Sequence, residues 1–325
     1  MRTPDHWQSN NLVSLLLRPL GWVYFFLGLL HRKIVRSVNI GVPVICIGNI
    51  VAGGAGKTPT AIYIGKLLSN SFKVAFLTRG YGGSLTGPVK VDPEKHTFHE
   101  VGDEAILLSR IATTWVSKSR VHGARAAKID GAEVIIMDDG YQNPQLEKTL
   151  SFLVVDGAYG LGNKQLIPSG PLRETLKHGI SRADALVVIG QDLHNIQSQV
   201  PKDVSLFPVT VSPIISKKLK EARRVVGFAG IAQPSKFLRT LTTLDLEVKG
   251  FFPFPDHHKF TKNEILDLTK KAFEMGAQLV TTTKDFVRLP PDMIGAIVAL
   301  DIELSCINET QIKSLLEQTL EKQNA

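Results

Sequence analysis

Lys57 and Thr58 stand directly behind three glycines, Gly53, Gly54 and Gly56, in the stretch VPVICIGNIVAGGAGKTP that covers residues 42–59. A lysine and a hydroxyl after a glycine turn are the groups that polyphosphate chemistry needs. Glycines let backbone N–H groups turn inward on phosphate oxygens, and a following helix N-terminus adds positive potential. In that arrangement Gly53, Gly54, Ala55, Gly56, Lys57, Thr58 and Pro59 form a nucleotide cradle. Lys57 neutralises the β- and γ-phosphates, and the Thr58 hydroxyl holds Mg²⁺. Pro59 is tolerated because an N–H in the first helical turn has no intrahelical acceptor. The usual P-loop spacing asks for glycine five residues before Gly56, where Val51 stands. A chance glycine turn ahead of a helix is the bland alternative.

Further polar groups fall where apolar runs end. Residues 133–139, EVIIMDD, have the form of a strand that delivers Asp138 to the Mg²⁺ beside a P-loop. Any buried strand ending in a turn-forming aspartate looks alike, so the upstream P-loop gives this reading its weight. Asp139, Gly140, Tyr141 and Gln142 extend it with groups able to order water or a substrate hydroxyl. Asp103 and Glu104 follow Gly102 at a helix start, where a helix cap with dipole-favoured carboxylates is an equally good account. In LIPSGPLRE, residues 166–174, two prolines stiffen a loop that ends in Arg173 and Glu174. A guanidinium there suits a phosphate clamp, and an ordinary connection with a surface ion pair is as common. FPDHHKF, residues 254–260, places Asp256, His257 and His258 in a proline-set loop. No metal-ligand spacing supports it, which favours a catalytic or orienting histidine.

These residues need a scaffold, and the chain predicts one. Strands are expected at 42–47, 74–78, 133–137, 152–155 and 185–189, with helices at 60–68, 104–112 and 121–129. Fully apolar strands alternating with helices imply a P-loop-type parallel sheet covered on both faces. Residues 200–220, with Pro201, Pro208, Pro213 and a lysine-rich patch, read as a linker. A second α/β run follows, with strands at 225–229, 248–252 and 279–282 and helices at 234–241 and 262–275. A strand at 296–300 and a helix from Glu309 close the pattern. The expected organisation is an N-terminal helix (1–36), a P-loop core (37–205), a linker (206–218), a smaller α/β lobe (219–290), and a return strand and helix packing on the core (291–325).

Composition narrows the classes. At 325 residues and 43% hydrophobic, the chain can bury a substantial core. The net charge of +8 suits an anionic partner. No zinc finger, RNA-binding aromatic motif or helix-turn-helix pattern is legible, so nucleic acid is not expected. Cys46 and Cys306 form no metal or redox spacing and read as small buried residues. Residues 12–30, LVSLLLRPLGWVYFFLGLL, are nearly all apolar and precede His31, Arg32, Lys33 and Arg36. The basic cluster lies on the wrong side for a signal peptide. Arg18-Pro19 interrupts a spanning stretch of about 20 residues. One or two amphipathic helices in the membrane interface are expected, with Trp22, Tyr24 and Phe25 at headgroup depth and the basic residues on anionic lipid. A core helix packed on the soluble body is the alternative.

Taken together, these residues resemble the tetraacyldisaccharide 4'-kinase family, the lipid A 4'-kinases of Gram-negative envelope synthesis. GNIVAGGAGKTP, TRGYGG (78–83), GDEA (102–105), DDGYQ (138–142), GNKQLIPSGPLRE (162–174), AGIAQPSKF (229–237), FPDHHKF and VTTTKDFVRL (280–289) recur in family order, Val51 included. Ala105, Asn143 and Thr283 depart from the family's usual proline, histidine and glutamate. The resemblance implies transfer of the γ-phosphate of ATP to the 4'-hydroxyl of a tetraacylated, 1-phosphorylated glucosamine disaccharide. It places the reaction at the cytoplasmic face of the inner membrane, with Mg²⁺ on Thr58 and Asp138. By resemblance Asp103 is the base and His257 tunes it, while Asp139 and Lys57 belong to the catalytic set. Arg173 neutralises the transferring phosphoryl group and Glu174 joins the metal shell. Asn49, Glu104, Arg120 and Gln142 hold the acceptor, with Arg125 contending with Arg120 for the family arginine.

The rival class is a P-loop switch ATPase or GTPase acting on a protein partner. Ala52 stands where many such ATPases carry an extra lysine, and Thr283-Lys284-Asp285 lacks the spacer of a guanine-reading motif.

Overall fold

The structure, a computed structural model, describes residues 4–324. Residues 1–3 and 325, which the expected first and last segments include, lie outside the described residues. The chain forms two compact units, one of residues 4–211 with 304–324, the other Ser212–Glu303.

In the first unit the strands are β1 (Val44–Gly48), β2 (Val74–Thr78), β3 (Val89–Lys90), β4 (Thr113–Val116), β5 (Val134–Asp138), β6 (Leu150–Asp156), β7 (Ala185–Ile189) and the start of β8 (Ser205–Ile214). They lie in the order β8-β7-β6-β1-β5-β2-β4-β3, parallel throughout except β3 against β4. Cys46 sits opposite Met137 on one side and Ser151 on the other, which places β1 in the middle of the sheet. Side chains alternate across a strand, and both faces are covered. Val44 and Cys46 join a cluster with Leu77, Met137 and Leu153 on one face, and Ile45 and Ile47 join Ile64, Phe76 and Phe152 on the other.

The helices of this unit are α1 (Leu12–Ile34), α2 (Lys57–Leu68), α3 (Phe98–Val101), α4 (Asp103–Ser109), α5 (Arg120–Ile129) and α6 (Leu176–Ile180). Arg18-Pro19 does not break α1, which is one helix of 23 residues. Contacts on both sides of Pro19 outweigh the lost backbone hydrogen bond: the Ser169 hydroxyl donates to Ser14 O at 2.6 Å, and Gly21 lies against Leu166. Asn11 caps the helix by accepting from Ser14 N at 3.0 Å. α1 is long and apolar enough to cross a membrane by length and composition. It seats only a narrow stripe (Ser14, Gly21, Phe25) on the unit, leaving Leu16, Trp22, Val23, Phe26, Leu27 and Leu30 exposed.

The linker expected over 206–218 is mostly strand. Phe207 and Val209 alternate into the core, and proline's fixed φ is compatible with extended backbone. Pro208 therefore takes a place opposite Val188.

The second unit holds α7 (Lys217–Glu221), β9 (Arg224–Ala229), α8 (Pro234–Thr242), β10 (Glu247–Pro253), α9 (Lys262–Glu274), β11 (Gln278–Thr282), α10 (Thr283–Phe286) and the start of β12 (Ile297–Cys306). Its parallel strands run β10-β9-β11-β12. The expected return strand thus belongs first to this unit, because Ile297–Leu300 pair with β11. From Leu304 the chain is back in the first unit, where α11 (Glu309–Asn324) follows. Ile312, Leu316 and Leu320 of α11 share the buried cluster of Ala61, Ile64 and Leu68 on α2.

Candidate active site

β1 delivers the chain to a loop that turns on Gly53 (φ +118°) and Gly56 (φ +86°), and α2 begins at Lys57. Gly56 occupies the cap position of α2 in left-handed conformation, and a Cβ there would stand 2.4 Å from Ile189 Cδ1. Val51, the departure from the usual spacing, points the other way. It is buried in the core and bridges Leu172 of the 166–174 loop. Ala52 N donates to Pro171 O at 2.8 Å and Arg173 N to Ile50 O at 2.7 Å. The first half of the loop is thus held by a neighbouring strand-like segment, and the glycines are needed only from Gly53 onward.

The Thr58 hydroxyl donates to Asp138 Oδ2 at 2.8 Å. Asp138 ends β5 fully buried, and its Oδ1 has no hydrogen-bond partner. Burial, reinforced by the negative charges of Glu104 and Asp139, pushes its carboxyl up to about 7 against the pull of Lys57 and Thr58. A buried orphan carboxylate oxygen beside a threonine hydroxyl suits a hard divalent cation that keeps water and phosphate oxygens as its other ligands. No cluster of three or more His, Cys, Asp or Glu poised for a metal occurs among the described residues.

Next along the chain, Asp139 (φ +52°) turns its carboxylate to two cations, Lys57 Nζ at 3.7 Å and Arg173 Nη1 at 3.2 Å. Burial works against its charge, yet Lys57, Arg173 and Arg120 outweigh it and hold the carboxyl below the usual range. A close approach of loops fixes this turn: a Cβ on Gly48 would lie 2.4 Å from Tyr141 Cβ.

Four of the expected contact residues have other partners. Glu174, expected in a metal shell, is fully buried and takes Arg32 Nη1 at 3.1 Å, Gln142 Nε2 at 3.0 Å and the Arg182 guanidinium. Burial opposes its ionisation, but Arg182 and Arg32 hold it below the usual carboxylate range. Its charge is met by guanidinium groups. Arg120 is buried, with Nη1 donating to Ser117 O at 2.9 Å and Nη2 reaching Asp138 O at 3.5 Å, so it braces the end of β5. Burial lowers its pKa despite Asp139 and Asp138. Asn49 is fully buried and donates to Val51 O at 2.5 Å. Gln142 donates to Asn49 O at 2.8 Å and accepts from Arg173 Nη1 at 3.1 Å. Each braces the loops.

Asp103 is the first residue of α4 and is 3% exposed. The cap position belongs to Gly102 (φ +86°), and Asp103 Oδ1 accepts from the adjacent Glu104 N at 2.9 Å. The cap position is thus not Asp103's own, but its carboxylate lies in the first turn of α4, where the helix dipole favours it, and accepts a first-turn N–H. A Cβ on Gly102 would lie 2.5 Å from Tyr81 O, so the TRGYGG and GDEA loops interlock through glycine. Glu104, half-buried, lies near enough to Asp138 for its negative charge to help raise that carboxyl.

His257 belongs to the second unit, where its backbone is left-handed (φ +56°) and its N–H donates to Gly230 O at 3.0 Å. Beside it, His258 Nε2 meets Glu264 at 3.0 Å. Below the loop lies a pair that residue spacing does not announce, Asp285 and Arg288, with Arg288 Nη2 donating to Asp285 Oδ1 at 2.9 Å.

Strand, glycine loop, helix, lysine, and a threonine hydroxyl bonded to a strand-end aspartate define a P-loop phosphotransferase site. Among known proteins, the family described as Tetraacyldisaccharide-1-P 4'-kinase (LpxK) matches residues 13–321. The tetraacyldisaccharide 4'-kinase of Rhodospirillum rubrum is 42% identical over 94% of this chain and 96% of its own. That of Paramagnetospirillum magneticum is 45% identical over 94% of each chain. The crystal structure of the "apo" form LpxK from Aquifex aeolicus in complex with ATP superposes with a TM-score of 0.79 at 27% identity, over 95% of this chain and 100% of that one. The chain belongs to the tetraacyldisaccharide-1-P 4'-kinase family and is a kinase.

Proposed function

We propose that this chain transfers the γ-phosphoryl group of ATP to the 4'-hydroxyl of a tetraacylated glucosamine disaccharide 1-phosphate, giving a 4'-phosphorylated lipid in lipid A synthesis. The observation that carries the reading is the Thr58–Asp138 hydrogen bond with its orphan carboxylate oxygen, set beside Lys57 at the start of α2. Residues 53–59 bind the phosphates through backbone N–H groups. Lys57 and Arg173 neutralise charge on the transferring group, and Asp139 holds both cations in place. Thr58 and Asp138 are the groups for Mg²⁺, which when bound neutralises the β- and γ-phosphate oxygens. Asp103 takes the proton of the acceptor hydroxyl as its oxygen bonds to phosphorus and the bond from phosphorus to the departing ADP oxygen breaks. His257 tunes that base during turnover.

α1 supplies the lipid surface. Its exposed apolar side chains enter the interface at the cytoplasmic face of the inner membrane, and the exposed His31 and Lys33 of its last turn face anionic headgroups, while Arg32 turns inward to Glu174.

The experiment is transfer of labelled phosphate from ATP with and without the lipid disaccharide in mixed micelles. Label appearing in the lipid, with ADP formed in equal amount, is the expected result. ATP hydrolysis indifferent to the lipid would overturn the reading in favour of a switch ATPase.

A further inference from the structure

The segment that carries Arg173 is held from two sides. One side is the P-loop, through Val51, Ala52 and Ile50. The other is α1, which contacts this segment along much of its own length. Arg18 Nε donates to Gln165 Oε1 at 2.8 Å, and Gly21 lies so close to Leu166 that a Cβ would meet it at 3.1 Å. The Ser169 hydroxyl reaches Ser14 O, and Phe25 meets the His178 ring edge-on at 5.7 Å. In the last turn of α1, Arg32 reaches the buried carboxylate of Glu174 at 3.1 Å.

From Glu174 the contacts continue inward without a gap. Glu174 Oε1 accepts from Gln142 Nε2 at 3.0 Å, Gln142 Oε1 accepts from Arg173 Nη1 at 3.1 Å, and Arg173 Nη1 meets Asp139 at 3.2 Å. A carboxylate only accepts and a guanidinium only donates. The Gln142 amide can therefore satisfy both neighbours in one orientation alone. Asn49 O, which also accepts from Gln142 Nε2, calls for the same orientation, and Glu174 accepts most strongly when ionised; although fully buried, it stays ionised here because Arg182 and Arg32 face it. One of the two counter-charges comes from the helix whose other faces are apolar and exposed.

We infer that Arg32 is a positioning residue: it ties the seating of α1 at a lipid surface to the placement of Arg173 through Glu174 and Gln142. This rests on the phosphotransferase reading of the P-loop site and adds a regulation to it. A kinase whose acceptor is a lipid gains from such a tie. With α1 unseated, Glu174 loses a counter-charge and the Gln142 bond to Arg173 loses its support, so the clamp is fully set only where acceptor is present.

The test uses the full chain, vesicles of phosphatidylethanolamine and phosphatidylglycerol at saturating amount, ATP and the lipid disaccharide. Arg32→Ala is expected to lower kcat roughly 10–100-fold, the usual cost of misplacing a catalytic group through its support. The KM for ATP should move little, because residues 53–59 are untouched. Amide hydrogen exchange over residues 165–174 should quicken in the same variant. Arg32→Lys keeps the charge but not the guanidinium geometry, and should fall between Arg32→Ala and wild type in both readouts. If Arg32→Ala shows no cooperative melt, Arg32→Lys decides alone: slower turnover with faster exchange supports the tether, and wild-type values of both overturn it. A loss of kcat in Arg32→Ala that is restored when vesicles are raised well above the amount that saturates the wild type would make Arg32 a lipid contact only, and overturns it too. A wild-type enzyme without lipid-dependent phosphorylation would sink the underlying reading; an active wild type matched by Arg32→Ala sinks the tether alone.

Discussion

Two buried ionic clusters, one in each unit, use the same kinds of side chain to different ends. Around Asp285 and Arg288 both Asp285 carboxylate oxygens and all three Arg288 guanidinium nitrogens are hydrogen-bonded. Asp285 accepts from Gly230 N at 3.0 Å, from Thr282 Oγ1 at 2.6 Å and from Arg288. Arg288 also donates to Lys284 O, His258 O and Gly230 O. Around Asp138 the pattern is open: one carboxylate oxygen is orphaned, and Lys57 stands 3.7 Å from Asp139, beyond a tight ion pair. Buried polar groups are almost always paired, so an orphan calls for a missing partner. The closed cluster fixes the shape of the loop bearing His257. The open one leaves charge that the proposed phosphate and cation would use.

The comparison can be broken by mutation. Lys57→Ala removes the main cation of the open cluster and should lower kcat by about 10³-fold or more. The melting temperature should hardly move, since the side chain serves no core. Near-wild-type turnover at saturating ATP would show the cluster to be another structural one.

In the closed cluster the loss should appear as stability. Arg288→Ala leaves a buried carboxylate uncompensated, at a cost of about 3–5 kcal/mol. Urea unfolding followed by hydrogen exchange over residues 224–300 would report it. A cost below about 1 kcal/mol would mean that Asp285 finds other partners, and that closure is not what holds the loop.

Asp103 and His257 sharpen the contrast, because a catalytic unit should lose activity without losing stability. Each alanine variant is expected to lower kcat roughly 10²-fold or more. The double variant should be hardly worse than the poorer single, since residues acting together are non-additive. Effects that multiply in single-turnover assays would separate their roles.

The smallest effect expected is a slope. Burial raises the Asp138 carboxyl from 3.8 to about 7 in the folded protein. Between those values the folded state keeps a proton that the unfolded state has released, so this group makes stability fall as pH rises through that window. In divalent-free buffer, Asp138→Asn should flatten the fall of melting temperature from pH 4 to 7. An unchanged slope would mean that the open carboxylate carries no such strain.

Much of the open cluster was legible in the sequence, because a phosphate cradle needs its residue types in one contiguous stretch. Residues 53–59 and the strand ending in Asp138 could be read for that reason. Glu174 could not: Arg32 lies 142 residues away along the chain, and no spacing rule connects them. Arg120 and Asn49 are expected as substrate contacts through the family resemblance, and no local signal shows that both are buried, Arg120 on Ser117 O and Asn49 on Val51 O, with Asn49 Oδ1 still without a partner. Pro208 and Pro213 suggested a linker where alternating Phe207 and Val209 made a strand. Pro19 suggested a break in a helix that its seat on residues 165–178 keeps whole. In each case a long-range contact, invisible locally, outweighed a local signal. Asp285 and Arg288, three residues apart within VTTTKDFVRL, could not be read as a buried pair because nothing local marks a pair as buried.

The docking of α11 behind the P-loop helix has a consequence in time. Tyr63 on α2 donates to Glu309 at 3.1 Å, across 246 residues of chain. At synthesis rates of about 5–20 residues per second, a nascent chain waits on the order of tens of seconds between making α2 and making the helix that covers its apolar back. Residues 212–303 are contiguous and can complete their own core in that interval. The apolar back of the P-loop helix, made early, is therefore covered only by the last helix of the chain.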